Sequence, residues 1–288
     1  MFKKNKKVIM LMIFFYLILI SFSIESISAT RQAVKTKEEK NIEINPASFS
    51  QPTFHPTEND IFGPEKDTCP IFKVEIDEND DNKKNKMAIT FDSAFINEHT
   101  YKILDTLDRY GVKATFFMTA NFIKNNYDQV AEILKRGHEI GNHSTTHEDF
   151  KKLTKDKIKK EVMNCHNALK DKFDIDMCLF RFPYGSYDKD ILSQVKSYGY
   201  YPIQWSCDSL DWRNVSVDAI TSKFKTDTYL YPGAIILFHN GATYTPDALP
   251  TVLNTCKRLG LKCVRVSDLI YKHDFNIKQN NGLQMKKD

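Results

Sequence analysis

From Met87 onward the chain alternates short apolar runs with longer amphipathic stretches, and this alternation constrains the fold more than any other feature. The apolar runs are Met87–Phe91, Ala114–Met118, His138–Gly141, Cys178–Phe182, Tyr200–Trp205, Ala234–Phe238 and Lys262–Val266. Each has the length of a buried strand, and helical periodicity fills the spaces between them. One helix is predicted over Thr100–Tyr110, with Ile103, Leu104 and Leu107 on one face, and another over Lys155–Phe173. A third is expected to open with Thr245 as N-cap and Pro246 at the first helical position. Strands separated by helices form a parallel sheet, open or rolled into a barrel. Seven predicted strands are one short of a closed eight-stranded barrel. No internal repeat is present.

The flanks read differently. Lys3, Lys4, Lys6 and Lys7 precede an apolar run from Val8 to Ile20, continued to Ile24, and Ser26–Ala29 supplies small residues. That is the order of a secretory signal, expected to be cleaved near Ala29. The alternative is an uncleaved membrane anchor over residues 8–24, which approaches the roughly 20 residues a spanning helix needs. Either way the rest of the chain is expected outside the cytoplasm, secreted or wall-associated. Residues 30–67 carry Pro46, Pro52, Pro56 and Pro64 with little apolar periodicity and are expected to form a flexible spacer. Phe72, Val74 and Ile76 alternate with polar residues as a strand would, and Asp77–Lys86 reads as a turn. The folded domain is expected over 68–272, with a loose polar tail over 273–288.

The net charge is +4. The first 29 residues supply +3 of it, four lysines against Glu25, so the remainder is nearly neutral. No basic field suited to nucleic acid is left. Cys69, Cys165, Cys178, Cys207, Cys256 and Cys263 make an even count that export would allow to pair. Cys256 and Cys263 flank a helix-to-strand turn and are candidates, with buried free thiols as the alternative. No C-x-x-C pair exists, which argues against a structural zinc site.

In parallel α/β barrels the reacting groups lie just past the strand ends. The predicted strands end in Thr90-Phe91-Asp92-Ser93, Asn142-His143 through His147, Arg181 through Tyr184-Gly185, Asp208 through Asp211-Trp212, and Leu237-Phe238-His239-Asn240. Five strand ends therefore carry groups able to ionise or to bind metal. His143 and His147 are four apart, and one helical turn would put both imidazoles on the same side, a spacing that suits a metal ion. Asp92 and His239 are of the residue types that serve as base and acid in amide hydrolysis. Each has a plainer alternative: Asp92 as a helix N-cap, His239 as a satisfied polar residue at a strand terminus, Arg181 as a structural salt bridge, Trp212 as core.

The five segments, in this order, resemble the polysaccharide deacetylases with the NodB homology domain, carbohydrate esterase family four. The resemblance runs from about Cys69 to Tyr271, and it includes Val112–Phe117, Gly137–His143 and Pro232–Leu237. The stretches Ser209–Trp212 and His239–Pro246 are most similar to the sporulation-linked bacterial branch. The resemblance implies a distorted, incomplete (β/α) barrel, in agreement with the strand count. It implies hydrolysis of N-acetyl groups on an amino-sugar polymer such as peptidoglycan or a chitin-like chain. Asp92 matches the general base, His143 and His147 the metal-ligating histidines, and Arg181 the partner of the base. The Tyr184 backbone N–H matches the oxyanion donor, His239 the general acid, and Asp211 the residue that tunes it. Trp212 and Leu237 match the walls of the acetyl pocket.

Ser93 departs from the pattern. The family's first motif usually carries a second aspartate there, a ligand of the divalent metal, expected to be Zn2+. A neutral hydroxyl is a poor substitute, so the resemblance implies a weakened metal site. A wall-polysaccharide-binding protein without a competent metal site is the alternative that Ser93 supports. A two-carboxylate glycosidase would use Asp92 and Asp211 but leave both histidines idle.

Overall fold

The structure, a computed structural model, describes residues 69–95 and 98–287. The expected signal segment and spacer lie outside the described residues. In chain order the strands are β1 (Lys73–Val74), β2 (Lys86–Ser93), β3 (Thr115–Met118), β4 (Glu139–Asn142), β5 (Leu179–Phe180), β6 (Tyr201–Pro202), β7 (Cys207–Asp208), β8 (Ile235–His239), β9 (Lys262–Val264), β10 (Phe275–Lys278) and β11 (Leu283–Lys286). The helices are α1 (Thr100–Arg109), α2 (Ala120–Asn125), α3 (Tyr127–Lys135), α4 (Lys155–Phe173), α5 (Lys189–Ser197), α6 (Val217–Lys223), α7 (Thr245–Arg258) and α8 (Val266–Leu269).

The main sheet runs β6-β5-β4-β3-β2-β8-β7, with β9 paired to β2 off this path. Every one of these pairings is parallel. The sheet curls into an incomplete (β/α) barrel, as the family resemblance implied. β2 lies at its centre, and every residue of β2 after Lys86 is buried. A parallel strand covered on both faces reads as a continuous apolar run, which is why Met87–Phe91 was legible. On β4, Gly141 makes room for the Phe117 side chain of β3: a Cβ there would stand 2.6 Å from that ring.

All seven predicted strands form, β5 and β6 shortened to two residues. The sequence reading did not separate β7, because Cys207–Asp208 is too short to show any periodicity. α1 and α4 match their predicted spans. In α7 the N-cap is Tyr244, with no side-chain capping bond. Thr245 was expected to cap it, but its hydroxyl donates to Asp211 Oδ2 at 2.5 Å instead.

The gap between the edge strands β6 and β7 is partly covered by the segment entering the domain. Ile71 forms a parallel bridge to Ile203, and Lys73 an antiparallel bridge to Ala234. The strand expected around Phe72–Ile76 is thus only the two-residue β1, and it joins a second sheet of order β1-β11-β10. The tail expected to be loose supplies the other two strands as an antiparallel hairpin. Phe275, Ile277 and Gln284 from it are buried. Cys256 and Cys263, the candidate pair, are not joined by a disulfide. Among the described residues no helix is long and apolar enough to cross a membrane.

Candidate active site

The sequence-predicted site residues come together at one end of the barrel because strand register places them there. Asp92 on β2 pairs with His239 on β8, and Thr90 pairs with Leu237. Asp208 on β7 also pairs with Leu237. Residues two apart on a strand share a face, so Thr90 stands behind Asp92 as Leu237 stands behind His239.

Arg181 follows β5 and is fully buried. Its Nη1 donates to Asp92 Oδ1 at 2.8 Å and to Thr90 Oγ1 at 2.8 Å, and its Nη2 donates to Gln204 O at 3.0 Å. The guanidinium also lies 4.0 Å from the centre of the Phe117 ring. Asp92 caps no helix, since the residue before α1 is His99, and the ion pair that Arg181 makes is with Asp92 itself. Burial alone would raise the Asp92 pKa. Positive charge beside it, from His143 only when that ring is protonated and from Arg181 and His239, together with the Arg181 hydrogen bond, outweighs this and holds the carboxyl below its usual range. Thr90 and the Gln204 carbonyl were missed as supports; the spacing of Thr90 from Asp92 was the available signal.

His143 Nδ1 lies 2.8 Å from the Arg181 carbonyl oxygen. A carbonyl only accepts, so Nδ1 carries the proton and the neutral ring presents a lone pair at Nε2. That Nε2 stands 3.3 Å from Asp92 Oδ2. Two lone pairs facing at this distance repel unless a proton or a cation lies between them. Burial lowers the His143 pKa. It also lowers His147, to about 4, with His143 adding to the effect. Both imidazoles are thereby pushed toward the neutral form that binds metals.

The two rings approach with centroids 4.8 Å apart, near-perpendicular, but not by one helical turn as the spacing suggested. Residues 143–147 form an irregular loop after β4. Ser144 (φ 71°) and His147 (φ 65°) are left-handed, because the loop N–H groups are taken up by side chains rather than by carbonyls one turn back.

Asp211 is fully buried. Its Oδ1 accepts from His239 Nδ1 at 2.8 Å, and its Oδ2 accepts from the His239 backbone N–H at 2.7 Å. Burial works against an imidazolium at His239, but the hydrogen bond and charge of Asp211, helped by Asp92 and Asp208, raise its pKa above the ordinary value. The neighbouring Asp208 accepts the Leu210 N–H at 2.7 Å and the Trp212 indole N–H at 3.4 Å.

These groups line a cleft of about 550 Å³ whose walls include Asp92, Phe95, His147, Tyr184, Trp205, Trp212, Leu237 and His239. Trp212 is 51 % exposed, so it is cleft wall rather than core. Tyr184 is 70 % exposed and left-handed at φ 58°. Its ring meets His147 edge-on at 4.6 Å. Non-glycine residues at positive φ thus gather in the loops of the cleft, where strain is held by surrounding contacts. Trp205 and Phe95 went unassigned from sequence, since an aromatic residue beyond a strand end reads equally as core.

Among the described residues no group of three or more His, Cys, Asp or Glu side chains is placed to hold a metal ion. His143 Nε2, His147 Nδ1 and Ser93 Oγ are nevertheless buried without hydrogen-bond partners. Buried polar atoms are seldom left so. Two neutral imidazoles and a hydroxyl suit a divalent cation, one anionic ligand short of the usual set.

The fold is an incomplete (β/α) barrel with its ionisable groups gathered at one end, and comparison with known proteins gives its family. The family model for polysaccharide deacetylases matches residues 79–203. A peptidoglycan-N-acetylglucosamine deacetylase of Bacillus cereus is 32 % identical over 198 residues, 67 % of this chain and 92 % of that protein. The chain belongs to the polysaccharide deacetylase family, carbohydrate esterase family four with the NodB homology domain. A crystal structure of the Bc1960 peptidoglycan N-acetylglucosamine deacetylase superposes with TM-score 0.65 at 27 % identity, covering 73 % of this chain and 97 % of that one. Wild-type BA3943 of Bacillus anthracis, described as a family-four pseudoenzyme, superposes with TM-score 0.64 at 26 % identity, covering 72 % and 70 %.

Proposed function

We propose that this protein removes N-acetyl groups from an amino-sugar polymer of the bacterial cell wall, N-acetylglucosamine or N-acetylmuramic acid residues of peptidoglycan, after export. One observation carries the reading: Asp92 and His239 are register partners on adjacent strands at one cleft, and each has a buried partner of opposite charge, Arg181 at 2.8 Å from Asp92 and Asp211 at 2.8 Å from His239, which favours the carboxylate at one and the protonated ring at the other. A carboxylate kept ionised beside an imidazole kept protonated is the division that acid–base catalysis requires.

In this reading the sugar packs against Trp212, and the acetyl methyl points toward Leu237. Water adds to the acetamide carbonyl and gives its proton to Asp92, which Arg181 holds in place. The backbone N–H of Tyr184 donates to the oxygen that becomes negative. His239, oriented by Asp211, protonates the amine as the carbon–nitrogen bond breaks, leaving acetate and a free amino sugar. A divalent cation, Zn2+ in this proposal, would be held by His143 and His147 with Ser93 in the third position. When bound, it would polarise the carbonyl and acidify the water.

A second reading rests on Ser93. Without a carboxylate there, the same cleft would bind wall polysaccharide and turn it over weakly or not at all. Incubating the purified protein with acetylated peptidoglycan and with chitin oligomers, with and without added zinc, decides between them. The deacetylase reading expects zinc-stimulated acetate release from at least one polymer. Polymer binding without acetate at any zinc concentration would leave the binding role.

A further inference from the structure

Four successive backbone N–H groups separate the two site histidines, and each is accepted by a side chain. Ser144 N–H donates to Asn142 Oδ1 at 2.9 Å. Thr145 and Thr146 N–H both donate to Glu161 Oε2, at 3.0 and 2.8 Å. His147 N–H donates to Ser144 Oγ at 3.0 Å. Glu161 makes two more bonds to the same loop: its Oε1 accepts the Thr146 hydroxyl at 3.0 Å, and its backbone carbonyl accepts the Thr145 hydroxyl at 2.8 Å. Of the three accepting residues, only Glu161 brings a carboxylate, and it is nearly fully buried on α4.

This arrangement has a physical reason. With Ser144 and His147 left-handed, the N–H groups between them turn away from strand and helix partners and converge as a nest for an anion. A buried carboxylate accepting several N–H bonds fills such a nest strongly. The loop conformation that brings the His143 and His147 rings to 4.8 Å therefore depends on a residue of a different element, fourteen positions further along the chain. Nothing else in the described hydrogen-bond set holds Thr145 and Thr146 N–H.

We infer that Glu161 is a positioning residue for the histidine pair: its carboxylate fixes the 144–147 loop so that His147 faces His143, and thereby sets metal affinity and turnover. Glu161 is not among the residues that line the cleft. The inference rests on the deacetylase reading above, in which both histidines hold the cation. Residues that orient metal ligands commonly change affinity or activity by about 10–100-fold when removed.

The test uses the purified protein with Glu161→Ala and Glu161→Gln, each checked for native far-UV circular dichroism. Zinc binding is read by calorimetry, and acetate release is resolved into kcat and KM. Glu161→Ala should weaken zinc by at least about 10-fold and lower kcat with little change in KM, since the cleft walls are untouched. Glu161→Gln should recover part of both, because an amide oxygen still accepts the Thr145 and Thr146 N–H groups. Hydrogen exchange at those two amides should quicken in Glu161→Ala while β2 and β3 stay protected. A folded Glu161→Ala protein that binds zinc and turns over as the wild type does would overturn the inference and leave the deacetylase reading standing. If Glu161→Ala does not fold, Glu161→Gln with unchanged zinc affinity, kcat and amide exchange overturns it equally. Failure of both the wild type and Ser93→Asp to bind zinc would defeat the metal-dependent reading and this inference with it.

Discussion

Asp211 receives three hydrogen bonds on two oxygens, two from His239 and one from Thr245. The imidazole is thus oriented, and its charged form is favoured. A group whose pKa is raised keeps its proton to higher pH, so the proposed acid should stay active above the ordinary imidazole value of about 6.5. Asp211→Asn removes the charge that raises His239, and the basic limb of the kcat/KM–pH profile should move to lower pH. A basic limb at unchanged pH in a folded Asp211→Asn protein would detach His239 from that limb. Ser93 sets the second expectation at this scale. Beside two neutral imidazoles, a carboxylate offsets the cation's charge in a buried pocket where unbalanced charge is costly. Ser93→Asp should therefore tighten zinc binding, measured by titration of the metal-free protein. No tightening would mean that another group already fills the third position. His143→Ala then checks whether these histidines bind the metal at all.

Among the secondary elements, the C-terminal hairpin has the clearest energetic consequence. Phe275 is buried and meets the Tyr201 ring at 6.2 Å, joining a cluster that includes Ile71, Ile203 and Leu269. Gln284 accepts the Tyr271 N–H at 2.9 Å and donates to the Tyr271 carbonyl at 2.7 Å. The hairpin therefore packs the open side of the barrel rather than trailing from it. Phe275→Ala should cost about 3 kcal/mol of stability, at the lower end for a buried aromatic, measured by urea denaturation. A loss under about 0.5 kcal/mol, the level of an ordinary surface substitution, would show the hairpin to be dispensable. Its strands were illegible because Phe275 and Ile277 are two apolar residues amid polar ones. What buries them is a cluster drawn from distant stretches of chain, Tyr201 and Ile203 from around β6 and Ile71 from the segment entering the domain.

The whole chain joins an amino-terminal segment with the pattern of an export signal to a domain whose cleft suits a wall polymer. Both halves of that proposal point outside the cytoplasm. The protein recovered from the exported fraction should begin near Thr30. Amino-terminal sequencing that returns Met1 would instead favour the anchor over residues 8–24.

The amino-acid sequence alone pointed to a parallel α/β sheet, because strands buried on both faces must be apolar throughout and so announce themselves locally; the family resemblance added that the sheet curls into an incomplete barrel. Asp92, Arg181, Asp211 and His239 each stand at or beyond the end of a legible run, and the family's motifs made their matches specific. Tertiary structure alone decided how those residues act on one another. The Asp92–His239 register, the Arg181 contacts with Thr90 and the Gln204 carbonyl, and the diversion of Thr245 from helix cap to Asp211 all join distant stretches of chain. The histidine loop shows the limit most plainly. Four residues of spacing suggested a helical turn, yet a carboxylate from α4 holds an irregular strap instead. Local periodicity records what a segment buries, and it carries no mark of which distant side chain will accept its N–H groups.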